Sequence, residues 1–136
     1  MKIRKIGFVT LCVLLLAGCQ LPATTKAAAR RNQIDGTPFY VAAPLATVAR
    51  HWDESASKGL TLFGGDAGSS LQLWGDRAEI VEGPPGAIRG LIELEASGTT
   101  QTKVTAYEPG PPLAGRGIVH SWLDVIRSTP EPQKTP

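Results

Sequence analysis

The stretch that decides the fold is LQLWGDRAEIV, residues 71–81. Apolar and polar residues alternate on both sides of Gly75-Asp76, a dipeptide that suits a two-residue hairpin turn. Such a turn makes four cross-strand pairs: Leu73 with Ala78 and Leu71 with Ile80 on the apolar face, and Trp74 with Arg77 and Gln72 with Glu79 on the other face. A slip of one residue would move every apolar side chain to the wrong face. The pattern therefore predicts a β-hairpin with one apolar face.

A second hairpin follows, with strands over 87–96 and 100–107. A two-residue loop at Gly98-Thr99 would set Leu94 against Lys103, an apolar residue against a cation. An odd-length loop instead gives matched pairs: Leu94 with Val104, Ile92 with Ala106, Glu95 with Lys103 and Leu91 with Tyr107. We therefore predict the odd loop, with Ile88 on the same face as Ile92 and Leu94.

Two amphipathic helices flank these strands. Apolar residues that include Trp52 recur at helical spacing after Pro44, and Lys58-Gly59 ends this helix. A second apolar stripe that includes Trp122 predicts a helix over about 113–127. With a short strand within 37–43, the order is β-α-β-β-β-β-α. Two such helices must cover the apolar face of the sheet, which predicts a two-layer α+β domain with an antiparallel sheet of four to five strands.

This order of elements resembles that of helix-grip domains, including the BamC-like lipoproteins of outer-membrane assembly machinery. The resemblance implies that a small apolar ligand could be held between the sheet and the C-terminal helix.

The start of the chain has the three regions of a secretory signal. Basic residues lie among the first five, and an uncharged, mostly apolar run covers 6–17. This run is too short for a membrane span, which needs about 20 residues. The residues Leu16-Ala17-Gly18-Cys19, which overlap the end of this run, resemble the lipobox of bacterial lipoproteins. The resemblance implies a signal peptide over 1–18 and a lipid, labelled by palmitate, on Cys19. The alternative is an ordinary secreted protein with a chance cysteine near the cut.

The residue after the cysteine bears on localisation. Gln20 stands where Asp would be the usual signal for retention in the inner membrane. In a Gram-negative cell, the resemblance to lipoproteins therefore implies an anchor in the outer membrane, with the domain facing the periplasm.

The rest of the mature chain divides into a tether over 19–36, a single domain over 37–128 and a disordered, Pro-rich tail over 129–136. Removal of the signal peptide leaves 11 basic and 12 acidic residues, so we expect no nucleic-acid partner. No cysteine would remain for a disulfide, because Cys12 leaves with the signal peptide and Cys19 carries the lipid.

The sequence offers little for catalysis. His51 and His120 are the two histidines of the chain, and neither belongs to a pattern with the three or four ligands of a zinc site. The glycine-rich stretch 64–68 lacks the Lys-Ser/Thr of a phosphate-binding loop. We therefore predict a protein that is not an enzyme and that uses no metal or cofactor.

Four residues form the candidate contact surface. Trp74, Arg77, Leu91 and Tyr107 fall on the sheet face opposite the helices, where an apolar set rimmed by charges is typical of a protein-binding surface. The alternative is that a terminal segment lies over them. We expect a protein-binding accessory of an envelope complex. The rival function is a ligand carrier, which would need a pocket lined by Trp52, Trp122 and Leu94.

Overall fold

Five strands and three helices occupy the part of the chain that the computed structural model describes, which is residues 23–59, 69–84, 86–109 and 117–133. The strands are β1 (Phe39–Val41), β2 (Ser69–Trp74), β3 (Arg77–Glu82), β4 (Gly90–Ser97) and β5 (Gln101–Tyr107). The helices are α1 (Lys26–Ala29), α2 (Leu45–Gly59) and α3 (Ile118–Arg127). The strands form one antiparallel sheet in the order β1-β5-β4-β3-β2. The predicted α+β class is confirmed.

The register of both predicted hairpins is confirmed. In β2 and β3, Leu73 lies opposite Ala78 and Trp74 lies opposite Arg77, on either side of the turn at Gly75-Asp76. Gly75 has a φ of 55°, which is a conformation that glycine adopts without steric cost. In β4 and β5, Leu94 pairs with Val104, and the loop between Ser97 and Gln101 has three residues.

Ile88 departs from its predicted face. It precedes β4, which begins only at Gly90, and the N–H of Arg89 donates to the carbonyl of Glu82 at 2.9 Å. Since Glu82 is also the register partner of Gly90, the alternation of the strand does not extend back to Ile88. Ile88 is buried with Leu91 on the outer face of the sheet, so its assignment to the face of Ile92 and Leu94 is wrong.

The inner face of the sheet is covered by α2 and α3. Trp52 and Trp122 meet edge to face, with ring centroids 5.3 Å apart and ring planes at 86°. Both are buried in one core, as their helical spacing predicts, together with Ile80, Ile92, Leu94 and Val104 of the sheet. Helix α3 begins at Ile118 because Gly117 is extended, so the predicted start near 113 is wrong.

The prediction of a tether over 19–36 is wrong for residues 23–34, which the structure describes as part of the fold. Residues 23–34, which we call the strap, run across the outer face of the sheet and include α1. Ala23 bridges to Ile88, and the N–H of Ile34 donates to the carbonyl of Ala106 at 2.9 Å. The segment therefore belongs to the folded domain, which begins at least 14 residues before the predicted boundary at 37.

The assignment of Thr129 to a disordered tail is also wrong. Thr129 is buried, and its hydroxyl donates to the carbonyl of Ile126 at 2.6 Å, so it closes the end of α3. The signal peptide and Cys19 lie outside the described residues. Within the described residues, no helix is long and apolar enough to cross a membrane.

Candidate functional site

The four residues of the predicted contact surface do not form one exposed patch. Leu91 is 0% exposed and packs with Ala23, Ala29 and Ile88 beneath the strap. Tyr107 is partly buried in the same cluster. Trp74 is 49% exposed, and Arg77 is also exposed. The structure thus matches the alternative in which a terminal segment lies over the outer face, and the assignment of Leu91 to a contact surface is wrong.

Charge explains why the strap lies at this place. Glu79 of β3 and Glu93 of β4 are register partners on the outer face. Lys26 Nζ lies 2.5 Å from a carboxylate oxygen of Glu79, and Arg30 Nε donates to Glu93 at 2.5 Å. A second guanidinium nitrogen of Arg30 lies 3.6 Å from Glu79. Lys26 and Arg30 of the strap therefore neutralise two carboxylates that would otherwise repel each other.

The contacts between the strap and the sheet shift the pKa values of two side chains. The hydrogen bond to Glu93 raises the pKa of Arg30, and the charges of Glu93 and Glu79 raise it further. Burial raises the pKa of Tyr107, which bridges to Gln33 of the strap. The strap is thus held at both ends by backbone pairing and in the middle by charge.

The tip of the β2–β3 hairpin remains open beyond the strap. Trp74 lies there with its ring centroid 5.6 Å from Lys26 Nζ, within the range of a cation–π contact. Arg77 donates to Glu95 at 2.7 Å, and this hydrogen bond holds the pKa of Glu95 below its usual value. On the other face of the hairpin, Leu73 is 54% exposed. An aromatic ring, an aliphatic side chain and a cation therefore share one small tip.

A groove of about 510 Å³ lies beside Trp74 on the outer face. Its charged walls come from the strap and from strands β3 and β4: Arg30, Arg77, Glu79, Glu93 and Glu95. Such a groove offers both signs of charge next to an aromatic surface. This combination suits a polar peptide segment with an aromatic or aliphatic anchor.

A second, shallower groove of about 380 Å³ lies between the strap and the start of α3. His120 Nε2 lies 3.6 Å from a carboxylate oxygen of Glu108 in this groove, and burial raises the pKa of Glu108. The carboxylate lies against Gly117, so closely that a Cβ at Gly117 would fall 1.8 Å from Oε1 of Glu108. A carboxylate at the N-terminus of a helix is stabilised by the helix dipole. This arrangement accounts for the pair as part of the fold.

The place that a carried ligand would need is taken up by side chains. Trp52 and Trp122 contact each other, and Leu94 is fully buried in the same core. One polar atom stands out: Nε1 of Trp52 is buried and has no hydrogen-bond partner among the described residues. A single buried indole N–H does not by itself indicate a bound ligand.

Within the described ranges, no group of three His, Cys, Asp or Glu side chains is placed to hold a metal ion. His51, the other histidine, contacts the Ser128 hydroxyl at 3.2 Å.

Sequence reasoning missed the Lys26, Arg30, Glu79 and Glu93 cluster. The available signal was the spacing of Lys26 and Arg30, four residues apart in a segment that would place them on one helix face. No protein-family model, curated protein or solved structure matches this chain.

Proposed function

We propose that the protein is a periplasmic lipoprotein, anchored in the outer membrane through Cys19, that binds another protein of the cell envelope through its β2–β3 hairpin tip. The observation that carries the binding part is the half-exposed Trp74 beside the charged groove. The anchor part rests on the sequence, namely the signal regions, the lipobox resemblance and Gln20.

The tip has the chemistry of a protein contact. Tryptophan and arginine are enriched among the residues that carry most of the binding energy at interfaces. Trp74 and Arg77 are register partners, so the sheet holds them side by side, and Leu73 adds an exposed aliphatic side chain on the other face of the hairpin. Burial of an exposed ring and an exposed aliphatic side chain in a partner would be favourable.

The anchor is tested with two variants of the full-length chain. Cys19→Ser should abolish labelling by radioactive palmitate and leave the signal peptide uncleaved at this site. Gln20→Asp should move a labelled protein from the outer-membrane to the inner-membrane fraction. Equal palmitate labelling of Cys19→Ser and the wild type would disprove the lipoprotein assignment.

The binding surface is tested by crosslinking in intact cells. Trp74→Ala and Arg77→Ala should lose a crosslinked envelope protein that the wild type captures. Tyr40→Ala is the matched control, because Tyr40 is also exposed but lies on β1, at the opposite edge of the sheet. If Trp74→Ala kept every partner, or if Tyr40→Ala lost the same one, the hairpin tip would not be the binding surface. Leu91 is unsuitable for this test because its replacement would disturb the buried cluster.

A further inference from the structure

The first described residue of the chain is fixed to the sheet. The N–H of Ala23 donates to the carbonyl of Ile88 at 2.9 Å, and the N–H of Ile88 donates to the carbonyl of Ala23 at 2.8 Å. Ala23 is also buried, in contact with the cluster that contains Ile88 and Leu91. The folded domain therefore includes Ala23 and begins well before residue 37.

This attachment limits the distance between the domain and a lipid on Cys19. Four residue steps separate Cys19 from Ala23. A polypeptide spans at most about 3.3–3.6 Å per residue, so the two Cα atoms lie within about 14 Å in any conformation. A spacer over 19–36 could have reached about 60 Å by the same rule. The lipid and the domain are thus joined by a short link.

The attachment point also selects one end of the sheet. Ile88 lies in the loop of residues 83–89, which joins β3 to β4. The turns at 75–76 and 98–100 lie at the opposite ends of the same strands. Strand β3 has six residues, which span about 17 Å at the usual rise per residue. The hairpin tip with Trp74 therefore lies about the length of β3 away from the loop to which Ala23 is attached.

We infer that the domain stands on the membrane with the 83–89 loop against the lipid headgroups and the hairpin tip directed away into the periplasm. This inference rests on the proposed lipidation of Cys19. The bilayer surface is the occupant of this end because the anchored chain enters the fold there.

Two backbone hydrogen bonds involve described residues of this loop. The N–H of Ala87 donates to the carbonyl of Pro84 at 3.0 Å, and the N–H of Arg89 donates to the carbonyl of Glu82 at 2.9 Å. Gly83 adopts a φ of 102°, where a Cβ would fall 2.1 Å from the carbonyl oxygen of Ala87. Arg89 is exposed at this end, and a cation is favoured next to anionic headgroups.

The chain permits a clean test with single cysteines. The sequence contains Cys12 and Cys19 and no other cysteine, so a lipidated mature chain has no free thiol. Pro84→Cys and Arg89→Cys place an exposed thiol at the loop, and Thr99→Cys places one at the opposite end. Each lipidated protein is labelled with a thiol-reactive fluorophore. It is then reconstituted into phosphatidylethanolamine–phosphatidylglycerol vesicles that contain a lipid with a nitroxide on its headgroup.

The nitroxide should quench the probe at positions 84 and 89 several-fold more than the probe at position 99. An insertion of about 12 Gly/Ser residues after Gln20 adds an r.m.s. distance of about 20 Å and should abolish this difference. Equal quenching at the two ends in the native-length chain would overturn the inference, whether the domain lies flat or moves freely. Mass spectrometry of the mature N-terminus shows whether Cys19 carries the lipid. Absence of the lipid would contradict the proposed function, whereas equal quenching with the lipid present would contradict the inferred orientation of the domain.

Discussion

Glu79 and Glu93 lie directly opposite each other on β3 and β4, and the strap supplies the two cations that this acidic pair requires. Like charges at directly opposed positions of an antiparallel sheet are destabilising. Lys26 and Arg30 begin and follow the single turn of α1, and each reaches one carboxylate of the pair. The strap and the sheet therefore depend on each other for stability.

Arg30→Gln should destabilise the domain by about 0.5–1 kcal/mol, because it removes a partly exposed ion pair and leaves the Glu79–Glu93 repulsion less compensated. Urea unfolding at low salt measures this loss. The difference from wild type should shrink in 1 M NaCl, where the Debye length is about 3 Å. Arg31→Gln is the matched control at the next, exposed position. Equal effects of the two variants would show that the ion pair contributes nothing specific.

Trp122→Ala should lower the free energy of unfolding by about 3–5 kcal/mol, the usual effect of emptying a large buried aromatic site. It removes the edge-to-face contact with Trp52 as well as buried surface. Trp74→Ala, at a half-exposed position, should change the same quantity by no more than about 1 kcal/mol. Thermal melts followed by far-UV circular dichroism compare the two. A small effect of Trp122→Ala would mean that α3 presents another face to the sheet.

Gly90→Ala should destabilise the protein by about 1–3 kcal/mol through overpacking. A Cβ at Gly90 would fall 2.4 Å from Cγ2 of Val119, and Val119 is fully buried on α3. The double variant Gly90→Ala/Val119→Ala should lose less free energy of unfolding than the two single variants lose in sum, because Val119→Ala makes room for the new methyl group. Denaturant unfolding of all four proteins gives the coupling energy. Strict additivity would contradict the close approach of α3 to β4.

Glu82 should make stability fall as the pH rises. Burial raises its pKa, while Arg89 opposes this effect and Glu108 adds to it. The folded chain therefore binds more protons than the unfolded chain from about pH 4.5 upward, and the free energy of unfolding decreases as the pH passes through the raised pKa.

Glu82→Gln should remove this contribution, so the variant gains stability relative to wild type between pH 4 and pH 7. Thermal melts across that range test the sign. Glu54→Gln, at an exposed position of α2, serves as the control. If the curves of stability against pH were parallel for Glu82→Gln and the wild type, Glu82 would be equally solvated in the folded and unfolded chains.

The local sequence pattern was sufficient to predict the strands and registers of the sheet. It was not sufficient to predict the segment that covers the outer face of the sheet. The pairs Leu73–Ala78 and Leu94–Val104 follow from alternation and loop parity, because both signals lie within a dozen residues. The strap carries no such signal. Its contacts are made by small side chains such as Ala23 and Ala29, which show neither a helical nor a strand period strong enough to predict packing.

Leu91 was wrongly assigned to an exposed contact surface because the local pattern does not reveal the strap that covers it. Leu91 and Tyr107 were correctly paired across β4 and β5, but pairing defines a face and does not say what covers it. Once the registers are fixed, Glu79 and Glu93 fall opposite each other, and that conflict is the clue to a missing basic segment. Trp74 and Arg77 stay exposed because they lie at the end of the hairpin, beside the turn, although Lys26 of the strap reaches the Trp74 ring.

The strap has a consequence for the order of folding. Arg30 and Glu93 are 63 positions apart in the chain, whereas the hairpins close through loops of two and three residues. Contacts between distant positions form late, because closing a long loop has a large entropic cost before any contact compensates it. We therefore expect the strap, which is synthesised before the sheet, to dock after the sheet has formed. Until β3 and β4 have formed, a newly made chain has no acidic pair for Lys26 and Arg30 to bind, so Leu91 and Ile88 stay exposed to water through most of its assembly.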